Sequence, residues 1–183
     1  MRYFLFIIAL IIFSIFTGWI MFSDKEDPYL SQEEKLVNDI LGRTAKIIKK
    51  KYGVNPSGEG AAMPDGIISQ LTLTFDTSNQ LSQETLRKLL VECAQELVAQ
   101  AKLTNVEKFL ENPPFEIKNV QIIIYNNDKY GRDLKDPEIS TAEISNGLLI
   151  YRTKDPDDNF KIKNQFKETY NEAIEILQRQ PES

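Results

Sequence analysis

Residues 3–22, YFLFIIALIIFSIFTGWIMF, are twenty positions in a row without a charged side chain. A helix rising roughly 1.5 Å per residue carries such a run through about 30 Å, the hydrocarbon thickness of a bilayer. The rival reading is a secretory signal peptide, but its apolar core is usually only about 7 to 15 residues long and ends in small residues. FSIFTGWIMF offers no such ending, and lipoprotein processing needs a cysteine that the chain carries only at Cys93. The expected organisation is therefore an uncleaved transmembrane signal-anchor over residues 1–22, a linker over 23–30 and a single soluble domain over 31–183. Tyr3 and Trp19, near the two ends of the span, are placed to sit at the membrane interfaces.

Lys/Arg counting leaves the orientation open, because Arg2 precedes the span while Lys25 and Lys35 lie beyond it. The very short N-terminal tail and the acidic SDKEDP after the span favour export of the C-terminal domain. That domain is expected to be membrane-tethered and extracytoplasmic.

Beyond the span the hydrophobic period sets the fold class. LSQEEKLVNDILGRTAKIIKKKYG places Leu36, Val37, Ile40, Leu41, Thr44, Ile47 and Ile48 on one helical face, with Ser31 and Glu34 as a capping box and Gly53 as the stop. GIISQLTLTFDTSN alternates with a period of two, setting Ile67, Leu71, Leu73 and Phe75 against Gln70, Thr72, Thr74 and Asp76. LSQETLRKLLVECAQELVAQAKL returns to helical spacing behind Ser82 as N-cap. A short helical piece, NVEKFL, ends at Pro113 and Pro114. NVQIIIYNN and PEISTAEISNGLLIYRTKD read as three more strands, the last two joined by an Asn146-Gly147 hairpin turn. NQFKETYNEAIEILQR closes the chain as a helix with Phe166, Tyr170, Ala173, Ile174 and Leu177 on one face. The expected fold is α+β: a four-stranded, mostly antiparallel sheet packed with three amphipathic helices behind the transmembrane helix.

Composition removes several chemistries. The chain has no histidine, so imidazole-based triads and shuttles are excluded. One cysteine forms no intrachain disulfide and, without histidine, no ordinary zinc site. With 27 Asp and Glu against 22 Lys and Arg, a net charge of −5 argues against nucleic acid as a partner. No metal and no cofactor are expected. Cys93 lies on the apolar stripe of the second helix and reads as a small buried hydrophobe.

Between the first helix and the first strand stands YGVNPSGEGAAMPDG, with four glycines and two prolines in fifteen residues. Gly58-Glu59-Gly60 matches only the start of a dinucleotide fingerprint. Its context is also reversed, with a helix before it and a strand after it. The length of this loop and its few charges suggest a segment packed over something. The acidic loops at 126–138 and 154–160 lack the oxygen-ligand spacing of calcium sites and read as solvated turns. Lys46, Lys49, Lys50 and Lys51 suit the negative end of the first helix dipole.

These features together, Lys51-Tyr52-Gly53, Pro56, Gly58, Gly60, Met63, a strand ending in Phe75, LVECAQELVAQ and NPPF, resemble a set of uncharacterised bacterial proteins. Those proteins join an N-terminal hydrophobic segment to a small domain with a Gly-rich loop of this kind. The resemblance runs from about residue 51 to residue 151; it implies no activity and no site residue.

Both faces of the central strands are apolar: Val120, Ile122 and Ile124 oppose Ile123 and Tyr125, and Leu149 and Tyr151 oppose Leu148 and Ile150. One face is expected to be covered by a helix or to meet a partner. The functional expectation is a membrane-anchored binding or envelope-assembly module without catalysis, contacting a protein partner through Glu59, Met63, Asp65, Tyr125 and Tyr151. The alternative is a carboxylate-dependent hydrolase acting near the membrane, drawing on Glu59, Asp65, Asp76, Glu138 and Glu143.

Overall fold

In a computed structural model, residues 29–179 are described. Residues from Gln32 onward form one compact unit. The expected transmembrane helix, with Tyr3 and Trp19, lies outside the described residues, and among those described no helix is long and apolar enough to cross a membrane.

Helix α1 spans Gln32–Tyr52 and buries Val37, Ile40, Leu41, Thr44 and Ile48 on the face its spacing predicts. Gly53 ends it with φ +71° and a bond from its N–H to the Lys49 carbonyl at 3.0 Å, the left-handed stop that glycine adopts without a Cβ penalty. Strand β1, Asn55–Ala62, turns back through a 3-10 turn at Pro64–Gly66 into β2, Gln70–Thr77. Helix α2, Gln83–Lys102, starts under Ser82, whose side chain accepts from the Thr85 N–H. It crosses over to β3, Val120–Asn126. Strand β4, Thr141–Ser145, and β5, Leu148–Lys154, form the hairpin expected at Asn146-Gly147, both residues with positive φ. Strand β6, Ile162–Thr169, runs into α3, Tyr170–Arg179.

The sheet has six strands in sequence order. Strands β2 and β3 pair in parallel, and every other neighbouring pair is antiparallel. The sheet is mostly antiparallel, as expected, but the expected four strands are corrected to six: among the described residues the architecture is α+β with three helices on a six-stranded mixed sheet. Two strands escaped the hydrophobic pattern for the same reason. They are the edges, and burial along β1 and β6 does not alternate because neither face of an edge strand is fully covered. Within β1, Pro56 and a bulge between Pro56 and Gly58 are features that sheets tolerate at an edge.

The last helix is correspondingly shorter than expected. Phe166 belongs to β6, and the helix begins at Tyr170 behind a capping box. In it the Glu172 carboxylate accepts from the Thr169 N–H at 2.7 Å while the Thr169 hydroxyl accepts from the Glu172 N–H at 3.2 Å. The NVEKFL segment closes into a 3-10 turn over Val106–Phe109. Ile67, expected to point inward, is exposed, and its neighbour Ile68 is buried in its place, its N–H bonded to the Phe109 carbonyl at 2.7 Å.

One face of the sheet carries Leu71, Leu73, Phe75, Val120, Ile122, Ile124, Ala142, Ile144, Leu149 and Tyr151, all buried in one cluster with α1, α2 and Ala173 of α3. Asn126 locks this layer at the end of β3. Its side chain exchanges two hydrogen bonds with the Leu81 backbone, at 2.8 and 2.9 Å, and donates to the Ile139 carbonyl at 2.8 Å. The residue is fully buried. Asn126→Leu leaves three backbone partners without bonds and is expected to cost about 3 kcal/mol, read as a lowered urea midpoint at unchanged slope.

Candidate binding surface

The opposite face of the sheet has no helical layer among the described residues. Register defines three rows across it. Thr74, Ile123, Glu143, Ile150 and Lys167 are successive partners, flanked by Asp76, Tyr125, Thr141, Arg152 and Gln165 on one side and by Thr72, Gln121, Ser145, Leu148 and Thr169 on the other. These residues are half-buried or exposed, and Tyr125 keeps 42% of its surface in solvent. Apolar and polar residues are interspersed on this face, and several of the polar ones are bonded to one another. Glu143 accepts from Arg152 at 2.9 Å, the Thr72 hydroxyl donates to the Gln121 amide oxygen at 3.0 Å, and the Gln70 amide donates to Ser145 Oγ at 3.2 Å. The hydrogen bond to Glu143 raises the Arg152 guanidinium above its usual range. The arrangement suits recognition: Tyr125 is exposed and Ile123, Leu148 and Ile150 are half-exposed on this face.

The end of the sheet where β2, β3 and β5 finish bears two further features that residue patterns did not mark. The loop after β3 and the β5–β6 loop are stapled together by Lys154 to Asp133 at 2.6 Å and by the Lys135 ammonium to Asn159. From this paired base Tyr130 and Phe160 project, Phe160 with 99% of its surface exposed. The acids of these loops are used as turn formers: Asp128 accepts from the Tyr130 and Arg132 N–H groups, and Asp155 and Asp158 from those of Asp157 and Phe160. At the same end a cleft of about 380 Å³ opens between the last turn of α1, the end of β2 and the first turns of α2.

The five residues expected to meet a partner do not form one patch. Tyr125 is on the open face. Glu59 is exposed on the edge strand β1, and Met63 is half-buried against the core. Asp65, with φ +53°, lines a shallow 270 Å³ hollow with Leu110 and Lys118 at the β1–β2 turn. Tyr151 lies on the other face and is fully buried, its hydroxyl donating to Glu168 at 2.5 Å. Glu168 also accepts from Arg87 of α2 at 2.8 Å, with both side chains only 11% exposed. This triad ties β5, β6 and α2 into one layer.

The five carboxylates considered for hydrolysis come from five separate segments of the chain. Asp65 is in the 3-10 turn that precedes β2, Asp76 is near the far end of that strand, and Glu138 is in the loop before β4. Glu59 and Glu143 are three strand spacings apart, roughly 14 Å, and Glu143 is committed to Arg152. Comparison with protein-family models, with curated proteins and with solved structures finds no match.

The buried groups generate two expectations. Glu168→Ala leaves Tyr151 and Arg87 without their acceptor and is expected to cost about 3 kcal/mol in urea unfolding. Burial first, then the Glu168 hydrogen bond, lifts the Tyr151 phenol well above its usual range, and burial does the same to the Cys93 thiol. Both folded pKa values exceed the unfolded ones. Their stabilising effect is therefore complete below the unfolded values, about 8.5 for cysteine and about 10 for tyrosine, and is lost as pH climbs toward the folded ones. The urea midpoint should fall in two stages above those values, the first absent in Cys93→Ala and the second reduced in Tyr151→Phe.

Proposed function

We propose that the chain is a membrane-anchored binding module, its domain outside the cytoplasm, that engages a protein partner or helps assemble the envelope without catalysis. The observation that carries this reading is the uncovered sheet face centred on Ile123, Tyr125, Leu148 and Ile150. A chain that devotes all three described helices to one face keeps a second, partly apolar face in water, and such faces serve contact rather than stability. The uncharged run at 3–22 supports the anchor, and the acidic residues after it support export. The Tyr130 and Phe160 tips add aromatic contact area at one end.

Two measurements test the reading. A reporter active only outside the cytoplasm, fused to the C-terminus, should be active in cells; an inactive but intact fusion overturns the location. A photo-crosslinking residue at position 125 or 148 should yield one discrete adduct in the native membrane, abolished by Ile150→Lys, while the same probe at Lys49 on α1 yields none. Adducts from Lys49 with none from the sheet face would place binding on the helical layer and refute the proposal.

A further inference from the structure

Both margins of the sheet are open: among the described residues β1 pairs only with β2, and β6 only with β5. Such edges present unpaired N–H and C=O groups that pair with another strand unless something blocks them. Beyond its bulge β1 keeps regular register from Gly58 to Ala62, and β6 does so from Asn164 to Thr169, both stretches free of proline. Hydrogen bonds tell which backbone groups face outward. The Ala62 carbonyl accepts from the Ser69 N–H at 2.9 Å and so faces β2, and alternation then turns Glu59 and Ala61 outward. In β6 the Asn164 N–H donates to Thr153 Oγ1 at 3.2 Å, and just past the strand the Tyr170 N–H donates to the Gly147 carbonyl at 2.9 Å. Gln165 and Lys167 therefore face outward.

The side chains decide how these edges fit. Glu59 and Ala61 stand on the helix-covered side of the sheet, opposite Leu73 and Leu71, and Phe166 stands there too, opposite Tyr151. Gly60, Gln165 and Lys167 belong to the open side. In an antiparallel pair an outward residue lies level with an outward residue, but in a parallel pair it lies level with one that faces away. Only parallel pairing of β1 with β6 keeps the covered sides together. The two strands already run the same way across the sheet, because the antiparallel steps on either side of the β2–β3 pair cancel. A second copy that is not turned over thus presents β1 to β6 in the orientation that parallel pairing needs. Both helical layers then lie on one side, and both copies of α1 start at the same end, where Glu33 approaches Gly66.

Charge and bulk favour the unlike edges. Glu59 is the only charged residue of β1, whereas β6 carries Lys163 and Lys167, and its one acid, Glu168, is held by Arg87 and Tyr151. Glu59, Lys163 and Lys167 have no ion-pair partner among the described residues. Pairing two β6 strands gathers lysines, pairing two β1 strands brings Glu59 to Glu59, and either contact needs one copy upside down. With Ala61 level with Phe166, the exposed phenylalanine gains a small apolar neighbour, and bare Gly60 leaves room for Gln165.

We propose that copies of this chain join side by side on one membrane, β6 of each pairing in parallel with β1 of the next, so that one mixed sheet runs through a ring or arc of domains. The Gln165 N–H donates to the Glu59 carbonyl, the Ala61 N–H to the Gln165 carbonyl and the Lys167 N–H to the Ala61 carbonyl. The inference rests on the membrane-anchor reading, because an edge contact is smaller than a standard interface of about 1,600 Å² and the tether offsets this by raising the local concentration.

The test uses the full chain in its native membrane and a short thiol-specific crosslinker, with the wild type, whose one cysteine is buried, as control. Gly60→Cys combined with Gln165→Cys should give a ladder of dimers and larger species. Neither single variant should crosslink alone, and the two expressed together should give dimers only. Ala61→Pro or Gln165→Pro removes an outward N–H at a place where an edge strand tolerates proline. Each should cut the ladder about tenfold or more at an unchanged urea midpoint. Single variants that crosslink as well as the double mark a two-fold contact and overturn the proposal, as does a folded double variant that stays monomeric or a ladder that survives both prolines. A chain recovered outside the membrane refutes the anchor instead, and the same crosslinks on that chain, concentrated in solution, still decide the edge contact.

Discussion

One-sided burial of the sheet is the constraint on which the rest of this structure depends. Leu71, Leu73 and Phe75 of β2 and Val120, Ile122 and Ile124 of β3 stand on the same face because a strand repeats every two residues, and the parallel pairing brings Leu71 level with Val120, and Phe75 with Ile124. A parallel pair needs a crossover, and α2 is that crossover, so the helix that links the strands also covers them. α1 and α3 extend the cover on either side. The opposite face, with Ile123, Tyr125 and Ile150, receives no such layer among the described residues. The same periodicity that builds the core creates the exposed face.

The sequence was legible where a residue's role is decided by its immediate neighbours. Asn146-Gly147 specified its turn, Ser82 its helix cap and Gly53 its helix stop, since each acts through local φ, ψ or one nearby N–H. The start of α3 carried the same kind of signal in Thr169-x-x-Glu172, but it was masked by Phe166, whose spacing to Tyr170 continues the helical face backwards. The edge strands were not legible, because strand identity there rests on backbone pairing with a neighbour in another part of the chain. Nothing in NPSGEGAA alternates, yet Glu59 pairs with Leu73 and Ala61 with Leu71.

The site was legible only in part, and for a related reason. Tyr125 is readable because alternation assigns its face. Tyr151 illustrates the limit: alternation places it opposite Leu148 and Ile150, but only the helices decide which of the two faces is covered, and they cover the tyrosine. Its polar end is then satisfied by Glu168, which Arg87 also holds, and no spacing rule connects either residue to it. The cleft is less legible still. Lys51 with Tyr52, Asn79 and Lys88 come from three separate stretches of the chain and line one space only through packing.

The glycine-rich stretch shows how far local and long-range causes can be separated. At Gly53 and Gly66 the backbone is left-handed, and at Gly66 a Cβ would also come within 3.3 Å of the Glu33 carboxylate. Glycine is required there by the fold itself. At Gly58 and Gly60 the chain is extended, and a Cβ would meet only Thr74 and Thr72 at ordinary contact distances of 3.5 and 3.9 Å. The fold would accept alanine at both. What the bare backbone changes is the outside of the molecule, because among the described residues β1 pairs only with β2 and its outer edge has no strand partner. The fifteen residues that looked too long for a turn are therefore two things: a turn that needs its glycine, and an edge strand whose glycines serve no internal contact and keep the margin of the open sheet face low.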